Sequence, residues 1–189
     1  TQLEVVEMDH PSTQKRKIES AQRMIAPELF EKIRFVPLDL DQKDQLKKES
    51  LIGEPKKTVF VLEGLTGYLS QNAIDLLFQW MRSQSLPGSR VIFTYVDQSF
   101  VEGKDTSPGA WRIFSYLEKS SEPFVFGWKP ESLPEYCKSQ GFQLLETISS
   151  ARCVDRYLKP LGRKLHGADF FHLAIAEKLE GRDGDQAAD

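Results

Sequence analysis

Apolar residues change their spacing several times along this chain, and each change marks an element. Leu3 to Met8 is short and, apart from its two glutamates, apolar with β-branched Val5 and Val6, and it meets Asp9, His10 and Pro11, which predicts a strand stopping at Asp9. Ile18, Ala21 and Ile25 then recur at helical spacing among Lys15, Arg16, Lys17 and Glu19, with Pro27 beyond, so Ser12 to Ile25 reads as an amphipathic helix with a stop signal. Ile33 to Leu38 reads as a second strand running into Asp39 and Leu40, and the charged stretch from Asp41 to Leu51 as a short helix. Thr58 to Leu62 is a continuous apolar run closing on Glu63 and Gly64, the pattern of a central strand covered on both faces.

Ser70 suits an N-cap, and Ile74, Leu77, Phe78 and Met81 occupy i, i+3, i+4 and i+7, predicting a helix from Ser70 to Ser83. Arg90 to Tyr95 is another apolar strand. Regular alternation then lapses through Gly103, Pro108, Gly109, Pro123, Gly127 and Pro130, an interruption of the length usual for a lid or substrate segment, here residues 97–130. One helix is expected around Trp111, Phe114, Tyr116 and Leu117, and a second from Glu131 to Gln140, ended by Gly141 at C′. Phe142 to Ser149 and Phe170 to Glu177 read as the last strands, joined by a segment with Tyr157, Pro160 and Gly162, and residues 180–189 as a polar, flexible tail. Strands alternating with helices predict an α/β fold with a parallel sheet between helical layers.

Composition narrows the function. The 189 residues suit one domain, expected over 1–179. Acidic residues number 28 against 25 basic, a formal charge of −3 with both signs dispersed, which argues against a nucleic-acid partner held by electrostatics. Apolar runs such as Val59 to Leu62 fall far short of the roughly 20 residues that span a bilayer, so no membrane partner is expected and a cytoplasmic setting is the default. Cys137 and Cys153 form no CxxC pair, and His10, His166 and His172 are scattered, so neither a metal site nor a triad is expected. The chain opens on Thr1 and by Val5 already reads as a strand, an expected start in mid-fold.

In a parallel sheet, ligands bind beyond the carboxyl ends of the strands. Those ends carry Asp9, Asp39 with Leu40, Glu63 with Gly64, and Tyr95 with Asp97. Acidic ends in series suit a ligand with hydroxyls, amines or positive charge and repel a phosphate. Each residue also has an ordinary role. Asp9 suits an N-cap, Asp39 a turn, Tyr68, Tyr95 and Trp111 packing, and Lys15, Arg16 and Lys17 the solvated face of a helix.

Val6-Glu7-Met8-Asp9-His10-Pro11-Ser12-Thr13-Gln14 followed by Lys17 resembles the V-x-E-x-D-x-P-x-T-Q-x-x-K signature of the S-adenosylmethionine-dependent methyltransferases related to leucine carboxyl methyltransferase. Asp39-Leu40, Glu63-Gly64-Leu65 with Tyr68-Leu69, Phe126-Gly127-Trp128 with Pro130-Glu131-Ser132-Leu133, Gly141-Phe142 and Arg156-Tyr157 resemble the family's later landmarks in order. The likeness covers nearly the whole chain and is nearest to the bacterial small-molecule O-methyltransferase branch.

The resemblance implies a Rossmann-like methyltransferase sheet, mostly parallel, with an antiparallel C-terminal strand pair. It implies S-adenosyl-L-methionine as cofactor, with Asp9 on the ribose hydroxyls, Asp39 and Leu40 flanking the adenine and Glu63 near the amino-acid end or sulfonium. Tyr68 would face the transfer site, and no catalytic residue is singled out. The acceptor would be an oxygen of a small molecule or a carboxylate, and a second copy of the chain is the candidate protein partner. The family carries a first strand and glycine-rich turn upstream of the Asp9 motif, whereas the first glycine here is Gly53, so that strand is expected to be missing. The alternative is a truncated, cofactor-incompetent relative acting as an interaction module through exposed strand edges. A weaker third reading, a nicotinamide-dependent dehydrogenase, shares the acidic end of the second strand but leaves Asp39-Leu40 and Glu63-Gly64 unexplained.

Overall fold

Val5–Asp9 forms β1, and the chain turns at His10 into α1, Pro11–Met24. The structure is a computed structural model that describes residues 3–40, 42, 46, 53–107, 109–119 and 123–180, in two compact units, Thr1–Pro55 and Lys56–Asp189. In the first unit, Pro11 occupies a first-turn position of α1, where its missing N–H costs nothing. Ile25 leaves the helix in extended conformation, and Pro27, expected only as a stop, also opens a short second helix, α2, Pro27–Phe30. β2, Ile33–Pro37, runs parallel to β1 in a register from Val5 opposite Ile33 to Asp9 opposite Pro37. The helix expected over 41–51 falls almost wholly outside the described residues.

The second unit is a four-stranded sheet in the order β3-β4-β6-β5. β3 is Val59–Leu62 and pairs parallel with β4, Arg90–Val96. β5 is Phe142–Ser149, and β6, Phe171–Lys178, runs antiparallel between β4 and β5. Parallel pairing early in the chain and an antiparallel pair at its end is the arrangement expected.

Helix α3, Gln71–Ser83, starts where its cap predicts, with Ser70 Oγ accepting from the Ala73 N–H at 3.3 Å. Its apolar stripe is the core. Ile74, Leu77, Phe78 and Met81 are at most 4% exposed, and Phe78 meets Phe93, Tyr136 and Phe142 edge to face. Full burial of such side chains stabilises by about 1.5–3 kcal/mol each, before chain entropy is counted.

The interrupted stretch after β4 contains α4, Gln98–Val101, and α5, Ala110–Glu118, and a 3₁₀ turn at Pro130–Ser132 leads into α6, Leu133–Ser139. Gly141 follows α6 at φ +85°, the left-handed C′ position expected of it. The segment joining β5 to β6, for which the sequence predicts no element, is helical at its start. It forms α7, Ser150–Cys153, continues as a π turn over Val154–Leu158 and ends in a 3₁₀ turn at Lys159–Leu161.

One expectation for the sheet fails. β3 is an edge strand of the described sheet rather than a covered central one, with Val59 60% and Val61 65% exposed. Only one of its faces is packed: Phe60 lies edge-on to Trp80 of α3 at 5.9 Å, while the alternate positions face outward. A run of four apolar residues is equally compatible with either arrangement, because the sequence does not record what covers the second face.

Candidate functional site

In the first unit, the parallel register brings the carboxyl ends of β1 and β2 to one edge. The Leu38 N–H donates to the Asp9 carbonyl at 2.8 Å, so Asp39 and Leu40 leave β2 beside the end of β1. Asp9 is held firmly there. Its Oδ1 accepts from the His10 N–H at 2.7 Å, and its Oδ2 pairs with Lys17 Nζ at 2.5 Å. The same ammonium donates to Glu7 Oε1 at 2.9 Å, and the buried Gln14 donates from Nε2 to Glu7 Oε2 at 3.0 Å.

The signature Glu7, Asp9, Gln14 and Lys17 is therefore one clamp joining the end of the strand to the first two turns of α1. Burial works against the Lys17 charge, but the hydrogen bonds and charges of Asp9 and Glu7 outweigh it and raise its pKa above the ordinary value. Asp39 is half-buried, and its Oδ2 accepts from Gln42 Nε2 at 2.8 Å. Leu40 is half-buried beside it. The cap expected as Asp9's ordinary role falls to His10, whose ring accepts from the Ser12 N–H.

In the second unit, Glu63 and Tyr68 lie on the turn that follows β3. Gly64 takes φ +62° and donates its N–H to Thr94 Oγ1 at 2.8 Å, which fixes the turn to β4 and leaves Glu63 exposed. Thr66 returns the contact through its hydroxyl to the Thr94 carbonyl, also at 2.8 Å. Tyr68 is 38% exposed and its ring meets Phe124 at 4.9 Å between centroids. The backbone beneath that contact is close. The Gly67 carbonyl accepts from the N–H groups of Val125 and Phe126, and a β-carbon at 67 would stand 2.7 Å from Phe124 Cδ1.

Gly127 is required for a similar reason, since a β-carbon there would lie 2.8 Å from the Val96 carbonyl oxygen. Trp128, buried beside it, donates its N–H to that same carbonyl. Asp97, the fourth acidic strand end, caps α4 instead of facing a ligand, accepting from Ser99 N and Oγ at 2.8 Å each. Tyr95 is core, 1% exposed, with its hydroxyl on Thr147 Oγ1. Trp111 is not packed as expected and stands 68% exposed, with Arg112 over its ring at 5.8 Å.

Residues 1–82 match the family model described as leucine carboxyl methyltransferase. The chain is 27% identical over 182 residues to YktD of Bacillus subtilis (strain 168), a protein named as an S-adenosyl-L-methionine-dependent methyltransferase, covering 93% of this chain and 58% of that one. The chain is thus similar to the leucine carboxyl methyltransferases over its first 82 residues. It spans just over half the length of the Bacillus relative.

Solved structures agree on the fold. An O-methyltransferase family protein from Burkholderia thailandensis matches with TM-score 0.62 at 11% identity, over 96% of this chain and 45% of that one. Magnesium protoporphyrin IX methyltransferase from Synechocystis PCC 6803, with bound SAH, matches with TM-score 0.56 at 12% identity, over 93% and 64%. The architecture is the α/β, Rossmann-like methyltransferase fold.

Against that family, the first-unit edge can be tested for a nucleoside. Each Asp9 oxygen has one partner, and a carboxylate oxygen accepts two hydrogen bonds, so one acceptor position on each is left for a vicinal diol. An adjacent carboxylate and a half-buried leucine supply an acceptor for an exocyclic amine and an apolar surface for a base. The donor set fits.

Reading the residues singly misses Gln14 and mistakes Lys17 for a solvated face. The signal is present in the alternation of Glu7 and Asp9 on one face of β1, with Gln14 and Lys17 one turn apart on the helix above. The role of Phe124 is not visible in the sequence, because its partners Gly67 and Tyr68 are remote along the chain.

Proposed function

We propose that this chain is the cofactor-binding part of an S-adenosyl-L-methionine-dependent O-methyltransferase acting on a small molecule. The observation that supports it best is the Asp9 carboxylate, held at a strand tip by Lys17 and the His10 N–H with an acceptor position left on each oxygen. Asp9 would accept from the two ribose hydroxyls, Asp39 from the adenine amine, and Leu40 would pack on the adenine face. By the resemblance, Glu63 would serve the cationic amino-acid or sulfonium end and Tyr68 the acceptor.

When bound, S-adenosyl-L-methionine supplies an electrophilic methyl group whose transfer to an acceptor oxygen leaves S-adenosylhomocysteine. The protein's contribution is positional. Lys17 holds Asp9 directly, and Lys17 and Gln14 hold the neighbouring Glu7, before ligand arrives, so little ordering of Asp9 remains to be done on binding. The turn from Glu63 to Leu69, bonded to Thr94 and to residues 125 and 126, fixes Tyr68 in the same way. Excluding water from the acceptor falls to the segment over 97–130.

Calorimetry with S-adenosylhomocysteine tests the reading. Micromolar binding that Asp9→Asn weakens by about tenfold or more (~1.4 kcal/mol), with the fold retained by circular dichroism, supports it. No heat up to millimolar ligand overturns it.

A second reading rests on a specific surface. Val59 and Val61 are exposed on the edge strand β3, an apolar edge of the kind that pairs with another strand. An interaction module built on it would bind a second copy or a partner strand with no response to S-adenosylhomocysteine, and Val61→Lys would abolish the association.

A further inference from the structure

Between α4 and α6 the described residues line a half-open hollow whose chemistry differs from that of the acidic strand ends. Phe100, Val101, Phe114, Leu117, Pro123 and Phe124 surround about 110 Å³, and every one of these side chains is apolar. The aromatic walls are fixed. Phe100 stacks face to face on Phe170, with centroids 3.9 Å apart and planes at 7°, and meets Phe114 and Phe124 edge-on at 6.0 and 6.3 Å. Phe124 is in turn held over Gly67, so the far wall has little freedom to collapse inward.

Size and lining decide what such a hollow takes. A water molecule needs two or more polar partners to be stable in a cavity, and among the described residues the lining side chains offer none. An apolar cavity of roughly 150 Å³ takes up benzene, and the space here is of the same order. A carboxylate or ammonium entering it would lose part of its hydration and meet no polar side chain among the described lining residues, whereas an aromatic ring gains edge-to-face contacts with walls already set at that geometry. The hollow is also placed beside the transfer residue, since Phe124 forms its wall on one side and packs against Tyr68 on the other.

We propose that this cavity binds the aromatic ring of the acceptor, and that it selects neutral, phenol-like small molecules over aliphatic amino-acid carboxylates. Calling the ligand a methyl acceptor rests on the function proposed above, while the ring site itself rests on the cavity alone.

The test uses the full chain with p-cresol and N-acetyl-leucine as probes, following the methyl signals of Val101 and Leu117 by carbon–proton correlation NMR. The expected result is that p-cresol shifts these methyls saturably and N-acetyl-leucine leaves them in place. Methyls that stay unmoved up to the solubility of p-cresol, or that respond as strongly to N-acetyl-leucine, overturn the proposal.

Leu117→Trp fills the hollow and should weaken p-cresol binding by roughly tenfold. Val101→Phe fills it from another lining position should the first variant not fold, and undiminished binding to a folded variant also counts against the site. A parallel titration with S-adenosylhomocysteine separates the two readings. Cofactor binding without p-cresol binding removes the ring site and leaves the methyltransferase reading intact. Ring binding without cofactor binding upholds the site and removes the methyltransferase reading.

Discussion

Gly67 and Phe124 are in contact closer than any side chain at position 67 would allow, since a β-carbon added there would stand 2.7 Å from the ring. The contact ties the turn after β3 to the segment leading into Trp128, because the Gly67 carbonyl also accepts from Val125 and Phe126. Gly67→Ala must therefore displace the ring or the turn, and overpacking of this kind costs about 1–3 kcal/mol. Urea unfolding should show that loss. A variant as stable as the wild type would mean that the Phe124 ring yields freely and is not a fixed wall.

Lys17 gives a prediction with a defined pH window. Its side chain is half exposed, and ion pairs of that exposure are worth about 0–1 kcal/mol, so Lys17→Met should cost no more than that near neutrality. Because the folded-state pKa is raised, the stabilisation is present in full below the unfolded value of 10.5 and is lost as pH rises through the folded value. The stability difference between wild type and Lys17→Met should thus close in alkali above 10.5. A difference that persists there would assign it to packing of the lysine stem. Cofactor affinity should fall more than stability does, since Asp9 loses the partner that orients it.

The two cysteines should differ sharply toward thiol reagents. Cys137 on α6 is fully buried, and burial pushes its thiol up to about 12, so it is neither accessible nor ionised under ordinary conditions. Cys153 at the end of α7 is half-buried. At about pH 8 an aromatic disulfide should modify Cys153 in the folded protein and Cys137 only after unfolding. Rapid reaction of the Cys153→Ser protein would show that α6 opens locally.

How much can be read in advance depends on the range of the interaction. α3 is legible to the residue because Ile74, Leu77, Phe78 and Met81 repeat within a single helix, and Ser70 caps it locally. The edge of the first unit is legible because Glu7, Asp9, Gln14 and Lys17 lie within a strand and the helix that follows it. Position in the sheet is not legible. Val59 and Val61 look like core in sequence and stand exposed, because burial of a strand's second face is set by a neighbour and not by the strand. Asp97 misleads for the opposite reason: it ends a strand as Asp9 does, but a helix starts immediately after it and takes the carboxylate as a cap. The aromatic hollow lies in the stretch whose periodicity lapses, where chain pattern carries least information about contact.

His172 on β6 supplies the last prediction. It lies opposite Tyr95 in the antiparallel ladder and stacks on that ring at 4.8 Å with planes 13° apart. Among the described residues its buried Nε2 has no hydrogen-bond partner. Burial lowers its pKa below 6.5, and the charges of Asp97, Asp169 and Asp105 oppose this without overcoming it. A base with a depressed folded-state pKa binds fewer protons when folded than when unfolded, so its contribution to stability is complete above 6.5 and is lost as pH falls through the folded value. His172→Phe keeps an aromatic surface for Tyr95, removes the unpaired nitrogen and removes the titration. Leaving a buried polar atom unpaired costs about 1–3 kcal/mol, so the variant should be at least as stable as the wild type near neutrality. The gap in its favour should widen as the pH drops below 6.5. Urea unfolding of both proteins across the acid range is the check, and parallel curves would show that some other group, not His172, governs the acid limb.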